Sequence, residues 1–278
     1  MPARKGSGDA LRRALDAHRA KLVKTQRVRN AEQLVDLVDR FGFAFAFTLR
    51  TGDAEIPACF DHLSTSDEHR KWGWMWGWKD ELAEAKRLYY GMLLARKPTF
   101  VSLDMLPSFY ATFGRAGEAD DHLDDVRAGR LSDVGRRIIE FLAQNGETQT
   151  KRMRAELGIS SKEGRLQYGK AIDEVQRLMY VARVRAVGEG REDYNYTYDL
   201  FVRRHPETVT AAERIASADA VSTLLARALQ LAGAMNEKQL IRLFEWDEAV
   251  ARRAIARAED RGALARHDGL LVLPALLR

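Results

Sequence analysis

Length and composition restrict the class of this protein before any motif is considered. With 278 residues, of which 46% are hydrophobic and 31% charged, the chain has room for two or three globular domains and the profile of a folded, helix-rich protein. No apolar stretch approaches the roughly 18 residues of a membrane span, and the first residues lack the apolar core of a signal peptide. Cys59 is the single cysteine, which excludes an intramolecular disulfide and a cysteine-based zinc site. We expect a cytoplasmic protein with no membrane partner.

The positive charge is concentrated at the N-terminus. The whole chain has a formal net charge of +5, whereas residues 1–29 alone contain nine Lys or Arg against two Asp, so the rest of the chain is slightly acidic. Bulk charge therefore gives no argument that the body of the protein binds nucleic acid, and such an argument must rest on individual elements. The basic segment itself fits either a solvated surface helix or a contact with a phosphate backbone.

Residues 1–115 are predicted to form an N-terminal α+β domain. The apolar spacing predicts helices over residues 9–24 and 31–42, and the alternation of residues 43–50 predicts a strand. Residues 81–96 are predicted to be helical as far as the Lys-Pro pair that follows them.

A tryptophan-rich stretch is the most unusual local feature of this domain. Within residues 68–79, tryptophan recurs at every second position, at Trp72, Trp74, Trp76 and Trp78. This period and the interleaved glycines favour an extended strand over a helix. Two interpretations stay open: a buried aromatic core strand, or a platform on which unpaired bases stack.

The rest of the chain predicts two copies of one module. Residues 116–131 are polar, acidic and glycine-containing, and are predicted to be a linker. Residues 132–202 and 203–278 each show a helix, a short helix, a long helix and a β-hairpin, the second with an Asp268-Gly269 pair typical of a type I′ turn. This order is typical of the winged helix-turn-helix, and its repetition strengthens the interpretation. The predicted fold class is mainly α with small β-hairpins (α+β), containing tandem winged helix-turn-helix modules.

The third helix of such a module enters the major groove, so double-stranded DNA is the predicted partner. Arginine suits bidentate contact with guanine or phosphate. Acidic residues on the same helices keep open the alternatives of a solvated face and of a protein contact. The residues predicted to contact DNA are Lys162, Arg165, Gln167, Lys170, Arg185 and Arg191 in the first module, and Arg252, Arg253 and Arg257 in the second.

No catalytic signature is found in the sequence. Phosphate-binding loops, hydrolase elbows, zinc motifs and dinucleotide fingerprints do not occur. Asp53, Asp61 and Asp104 lie near the aromatic region and could act as a general base, although each also fits a surface or turn position. No cofactor and no metal are predicted.

With these modules in place, the sequence resembles a bacterial family of crosslink-repair DNA glycosylases called AlkZ or YcaQ, and more closely its AlkZ-related branch. The resemblance covers about residues 40–270 and is carried by the order of WGWKDELAEAKRLYYGMLLARKPTFVSLDMLPSFYA, LSDVGRRIIEFLAQNG, YNYTYDLFVRRHPE and LARHDG. It implies tandem winged helices around a DNA-binding cleft, with a third, degenerate module within residues 1–115. The family carries a Gln-x-Gln or Gln-x-Asp catalytic motif, but none of the eight glutamines here has Gln or Asp two positions later. The catalytic residues of the family therefore cannot be assigned to this chain.

Three functions stay open. The first is a DNA-binding protein that recognises damaged or distorted duplex, and the missing glutamine motif favours it. The second is a DNA glycosylase with a diverged active site that acts on alkylated or crosslinked bases, which predicts a desolvated carboxylate or glutamine in a cleft between modules. The third is a transcriptional regulator, which predicts both third helices on one face, or a dimer.

Overall fold

The structure is a computed structural model that describes residues 5–48, 56–118, 120–188 and 194–277; of residues 5–9 and Thr25 it describes only the backbone. Within these ranges the chain is mainly helical with three small antiparallel sheets of three strands each, which confirms the predicted α+β class. None of the described helices is both long and apolar enough to cross a membrane.

The N-terminal part contains the first sheet. Its strand order is β1-β3-β2, so the first strand pairs with the last. The Asn30 side chain accepts a hydrogen bond from Gln33 N and starts the second helix, which ends at Gly42 with a φ of 77°. The elements are α1 (Lys5–Thr25), α2 (Ala31–Phe41), β1 (Phe43–Phe45), a 3-10 helix (Cys59–His62), α3 (Glu68–Glu84), β2 (Tyr89–Met92), a 3-10 helix (Leu94–Arg96) and β3 (Pro98–Val101).

The central part contains the second sheet, in the order β4-β6-β5. Its long helix starts at the Ser161 side chain, which accepts a hydrogen bond from Gly164 N. The elements are α4 (Leu106–Ala111), α5 (Asp121–Arg127), α6 (Asp133–Asn145), β4 (Thr148–Gln149), α7 (Thr150–Glu156), α8 (Lys162–Arg177), β5 (Val181–Val187) and β6 (Asn195–Leu200).

The C-terminal part contains the third sheet, in the order β7-β9-β8. Asp268 and Gly269 both have positive φ, 47° and 79°, as the type I′ turn predicted from this pair requires. The elements are α9 (Phe201–Arg204), α10 (Pro206–Ala212), α11 (Ser217–Ala232), β7 (Ala234–Met235), α12 (Glu237–Phe244), α13 (Glu248–Asp260), β8 (Ala265–His267), β9 (Leu270–Val272) and a final 3-10 helix (Pro274–Leu277).

One order of elements thus occurs three times in the chain. Residues 31–101, 133–200 and 217–272, here called the first, second and third repeats, each run through a helix, a short strand, a short helix, a long helix and a hairpin. In each, the short strand pairs with the second strand of the hairpin. The sequence pattern had indicated two copies, and the resemblance had implied the first.

The prediction of a strand for the tryptophan-rich stretch was wrong, because this stretch forms the N-terminal part of α3. The side chain of Asp67 accepts a hydrogen bond from Arg70 N and starts the helix. Its buried positions are Met75, Lys79, Leu82 and Ala83, which recur at helical spacing. The helix prediction for residues 81–96 was also wrong beyond Glu84, because Tyr89 and Tyr90, which open β2, belong to a sheet.

The first and third repeats share one hydrophobic core, which Met179 and Ala182 of the second repeat also join, while most buried residues of the second repeat form a core of their own. Phe43 of β1 is fully buried, and its ring meets Phe109 of α4 and Phe244 of α12 edge to face, at 5.5 and 5.9 Å between centroids. Each such contact contributes roughly 0.5–1.5 kcal/mol beyond the burial of area. The two ends of the chain are therefore held against each other.

The N-terminal helix α1 packs on the third repeat. Leu11 joins a small apolar cluster with Ala234 and Val272. The ring of His18 is hydrogen-bonded through Nε2 to the Gln230 carbonyl oxygen at 3.0 Å. The basic N-terminal segment is thus held by its apolar face, and several of its cations are exposed.

The segment predicted as a linker, residues 116–131, includes α5 and packs on the second repeat. The carboxylate of Asp125 accepts hydrogen bonds from Tyr180 Oη and Arg130 Nε, both at 2.7 Å. The domain boundaries proposed on either side of this segment stay a prediction.

Candidate functional site

The long helix of the second repeat, α8, presents a basic face to solvent. One side of the helix is buried through Tyr168, Ala171, Ile172 and Val175. Because a helix with one buried stripe exposes the opposite one, the polar residues lie outside. All four residues of this helix predicted to contact DNA are exposed: Lys162, Arg165, Gln167 and Lys170.

The cations on this face have no ion-pair partner within the part of the chain that the structure describes. Among the described residues, no carboxylate lies within 4.0 Å of Lys162, Arg165 or Lys170. Leu166 stands among them with 65% of its surface exposed. The face therefore combines free positive charge with an apolar side chain, which suits phosphates and base edges.

The remaining residues predicted in the second repeat lie at its hairpin. Arg185 on β5 is exposed but forms an ion pair with Glu147, at 2.6 Å between Nη2 and Oε1. Arg191 lies outside the described residues.

The long helix of the third repeat, α13, has a different charge arrangement. Arg252, Arg253 and Arg257 are all exposed. Arg252 is held by Glu237 at 3.1 Å and by Glu248 at 2.9 Å. Arg253 and Arg257 have no carboxylate within 4.0 Å among the described residues.

The long helix of the first repeat, α3, exposes two tryptophans in addition to charged residues near its ends. Trp72 and Trp76, one turn apart, are each 50% exposed, while Trp74 and Trp78 are partly buried and stack on each other at 5.3 Å. Trp72 also stacks on Phe47 at 5.4 Å. At Gly73 and Gly77, next to the exposed indoles, an added Cβ would meet no atom within 4 Å. The outer face of α3 is thus two indoles with open backbone beside them.

Beneath Trp76, a lysine is buried between the first and second repeats. Lys79 on α3 retains 1% of its surface. Its Nζ lies 2.7 Å from both Asp80 carboxylate oxygens and 3.1 Å from Tyr196 Oη, and it also donates to Tyr194 Oη. The Trp76 ring covers it at 4.2 Å from the centroid. We call Lys79, Asp80, Trp76, Tyr194 and Tyr196 the lysine cluster.

The surroundings of this lysine lower the pKa of its amine. Burial lowers the pKa of Lys79 to about 8, against the opposing effect of the Asp80 carboxylate. The positive charge of Arg183, whose guanidinium lies 4.2 Å over the Tyr196 ring, adds to the lowering. Burial and the hydrogen bond to Asp80 raise the pKa of Tyr194, so its phenol keeps its proton at neutral pH.

Sequence reasoning did not find the lysine cluster. Lys79 ended a stretch interpreted as a strand, and on a strand its position gave no indication that the side chain is buried. On a helix, Lys79 falls four residues after Met75 and three before Leu82, on the buried face. A lysine in the middle of an apolar helical stripe was the signal that could have revealed it.

The aspartates considered as catalytic bases lie elsewhere. Asp61 and Asp104 are exposed, and Asp61 accepts a hydrogen bond from Thr48 Oγ1 at 2.5 Å. Asp53 lies outside the described residues. Both described aspartates lie in solvent, so neither has the desolvated environment expected of a catalytic carboxylate.

The three repeats meet at Glu245, which follows α12. Its carboxylate pairs with Arg96 of the first repeat at 2.5 Å and with Arg177 of the second at 2.7 Å. Beside it lies a cavity of about 530 Å³, where the rings of Phe244 and Trp246 stack at 4.2 Å. This junction sets the relative positions of the three long helices.

Known proteins place this architecture in a family. No curated protein has significant sequence similarity to the chain. The fold is similar to that of Streptomyces sahachiroi DNA glycosylase AlkZ, with a TM-score of 0.55 at 13% identity, over 98% of this chain and 71% of that chain. The model of the AlkZ-related family matches residues 28–245. This match covers well over half of the chain and confirms the resemblance predicted from its segments. The chain belongs to the AlkZ-related family.

Proposed function

We propose that this protein binds double-stranded DNA and recognises damaged or distorted duplex, with its repeats acting as winged helices. The observation that carries the proposal is the exposed basic face of α8, whose three cations have no carboxylate partner among the described residues. Unpaired cations on one face provide a phosphate-binding surface, because each contact releases counterions from DNA. A DNA partner would place the protein in the cytoplasm or on the nucleoid.

The order of elements supports the winged-helix interpretation. In each repeat the long helix follows a short one and precedes a hairpin. In a helix-turn-helix the corresponding helix lies in the major groove, with its N-terminal residues on the base edges. Lys162, Arg165 and Leu166 occupy this N-terminal half of α8. Leu166 could contact a thymine methyl group, since apolar side chains read that group.

The preference for distorted duplex rests on α3. Trp72 and Trp76 are half exposed on a helix that holds the place of α8 in its own repeat. Indoles stack on unpaired bases with little sequence preference, and regular duplex offers no such faces. Duplex with an unpaired or missing base is therefore the substrate class that suits this helix.

The proposal is tested by fluorescence anisotropy with labelled duplexes across a range of salt concentrations. Replacement of Lys162, Arg165 and Lys170 by alanine is expected to weaken binding and to flatten its salt dependence. The matched control removes three exposed arginines elsewhere, Arg127, Arg214 and Arg261, for the same change in net charge. Equal binding by the wild type and the α8 variant at every salt concentration would remove the basis of the proposal.

A second candidate, a DNA glycosylase with a diverged active site, is favoured by the lysine cluster. It is a buried amine hydrogen-bonded to a partly buried carboxylate between two repeats, an environment typical of catalytic sites. Because the Gln-containing motif is missing, we expect no base release above background from alkylated duplexes. Abasic-site formation by purified protein would make the glycosylase the preferred function. The transcriptional regulator receives no support from the family or from the fold similarity.

A further inference from the structure

The lysine cluster has a composition that DNA binding does not require. A surface that holds phosphates needs exposed cations, but Lys79 is buried and its charge is balanced by Asp80. Four aromatic rings lie within 6 Å of its Nζ, those of Trp76, Tyr90, Tyr194 and Tyr196. A desolvated amine with a lowered pKa is the form in which lysine attacks carbonyl carbon.

We propose that Lys79 is a nucleophile that forms an imine with the aldehyde of an abasic site in DNA. The inference rests on the proposed binding of distorted duplex, and does not require that the protein remove a base itself. An abasic site supplies the carbonyl group, because its sugar opens to an aldehyde at C1′. It is also a distorted duplex with a missing base, the class that suits the exposed indoles of α3.

The chemistry needs only groups that the cluster provides and water. Asp80 takes one proton from the Lys79 ammonium, and the neutral amine attacks C1′. As the C–N bond forms, the nitrogen passes a second proton to the carbonyl oxygen through the Tyr194 hydroxyl, which is hydrogen-bonded to both Lys79 and Asp80 and regains the proton that it gives. Asp80 returns its proton to this oxygen, which leaves as water, so that the iminium ion and the Asp80 carboxylate remain. Asp80 then accepts the C2′ proton, the electron pair forms the C1′–C2′–C3′ conjugated system, and the C3′–O bond breaks with release of the 3′ phosphate. Hydrolysis of the imine returns the amine and frees an unsaturated aldehyde.

The rings of Trp76 and Tyr194 both lie over the amine, and Trp76 is the more exposed of the two. Trp76 covers Nζ at 4.2 Å, and its own surface is half exposed. Its other neighbour is Tyr194, at 5.3 Å between ring centroids. Rotation of the Trp76 side chain onto an unpaired base would uncover Lys79, so that stacking and imine formation are linked in one movement.

The decisive experiment traps the imine on the full-length wild-type protein. The protein is mixed with duplex that contains one abasic site, treated with borohydride, digested, and searched by mass spectrometry for the modified peptide. We expect the reduced adduct on Lys79, with a trapping rate that is half-maximal near pH 8, well below the pH at which an exposed lysine becomes neutral. Tyr90, Tyr194, Tyr196, Asp80 and Arg183 are the titratable groups that face the amine and set this midpoint.

Variants separate this chemistry from binding. Lys79→Arg keeps the charge but has no nucleophilic amine, and we expect at least a 100-fold loss of trapping. Lys71→Arg, two turns earlier on the same helix, is the matched control and should trap as the wild type does. An adduct on another lysine, or none, while anisotropy in the same mixture shows bound duplex, would overturn the role of Lys79 and leave DNA binding intact. Absence of binding would overturn both. The peptide map of the wild type decides the matter even if a Lys79 variant fails to fold.

Discussion

The helices α8 and α13 are the long helices of their repeats, yet their exposed cations have different partners. On α8 the three cations lie free among the described residues, and exposed Leu166 stands between them. On α13 the first arginine, Arg252, is held between Glu237 and Glu248. A phosphate that binds Arg252 must first displace two carboxylates, whereas one that binds α8 displaces only water. The count of basic residues on a helix is therefore a poor measure of the charge available to DNA.

The largest expected effect belongs to α8. Replacement of Lys162, Arg165 and Lys170 by alanine should weaken duplex binding on the order of 100-fold at about 0.1 M salt, and flatten the salt slope by up to about three units, because each phosphate contact contributes about 0.9. Anisotropy titrations at several salt concentrations measure both quantities. An unchanged slope would mean that these cations contact no phosphate.

The helix α3 extends the comparison, since it is the long helix of its own repeat and exposes two indoles. The double change Trp72→Ala and Trp76→Ala should weaken binding to a duplex with an unpaired base about 10-fold, because stacking contributes roughly 1–3 kcal/mol per base. Binding to regular duplex should stay the same. Competition between the two duplexes measures this selectivity, with Trp246→Ala as a control at an indole away from α3. Equal losses on both duplexes would argue against base stacking.

A smaller effect is expected for α13. Replacement of Arg252, Arg253 and Arg257 by alanine should weaken duplex binding by less than about 10-fold, because two cations at most are available to phosphate. The same titrations measure it, side by side with the α8 variant. If the α13 variant loses more affinity than the α8 variant, the ranking of the two helices is reversed.

The smallest expected effect tests directly why the cations of α13 are less available to phosphate than those of α8. The double change Glu237→Gln and Glu248→Gln removes the charges that hold Arg252, and should raise duplex affinity by about two- to eightfold with a steeper salt slope, as expected for one additional phosphate contact. Surface ion pairs of this kind contribute only about 0–1 kcal/mol, so little stability should be lost. Adding Arg252→Ala to this variant should return the affinity to its original value; a gain that survives this third change would point to a general effect of net charge.

The sequence by itself determined the features that depend on neighbouring residues. The repeated order of elements in the second and third repeats and the turn at Asp268-Gly269 were predicted, because apolar periodicity and turn residues act within a few positions along the chain. The exposure of the predicted residues on α8 followed from the same periodicity.

Only the tertiary structure decided the rest, because it depends on contacts that the order of residues does not specify. Tryptophan at every second position fits a strand, but it also places Trp72 with Trp76 and Trp74 with Trp78 one helical turn apart. The burial of Met75 and Leu82 on one face favours the helix over the strand. That choice placed Lys79 inward, where Tyr194 and Tyr196, more than a hundred residues later in the chain, enclose it. The partners of Arg252 were decided in the same way, since Glu237 lies on another helix. Residues that come close only in the folded chain can thus neutralise an arginine that looks unpaired in the sequence. They can likewise remove a lysine from solvent, although nothing next to it in the sequence indicates burial.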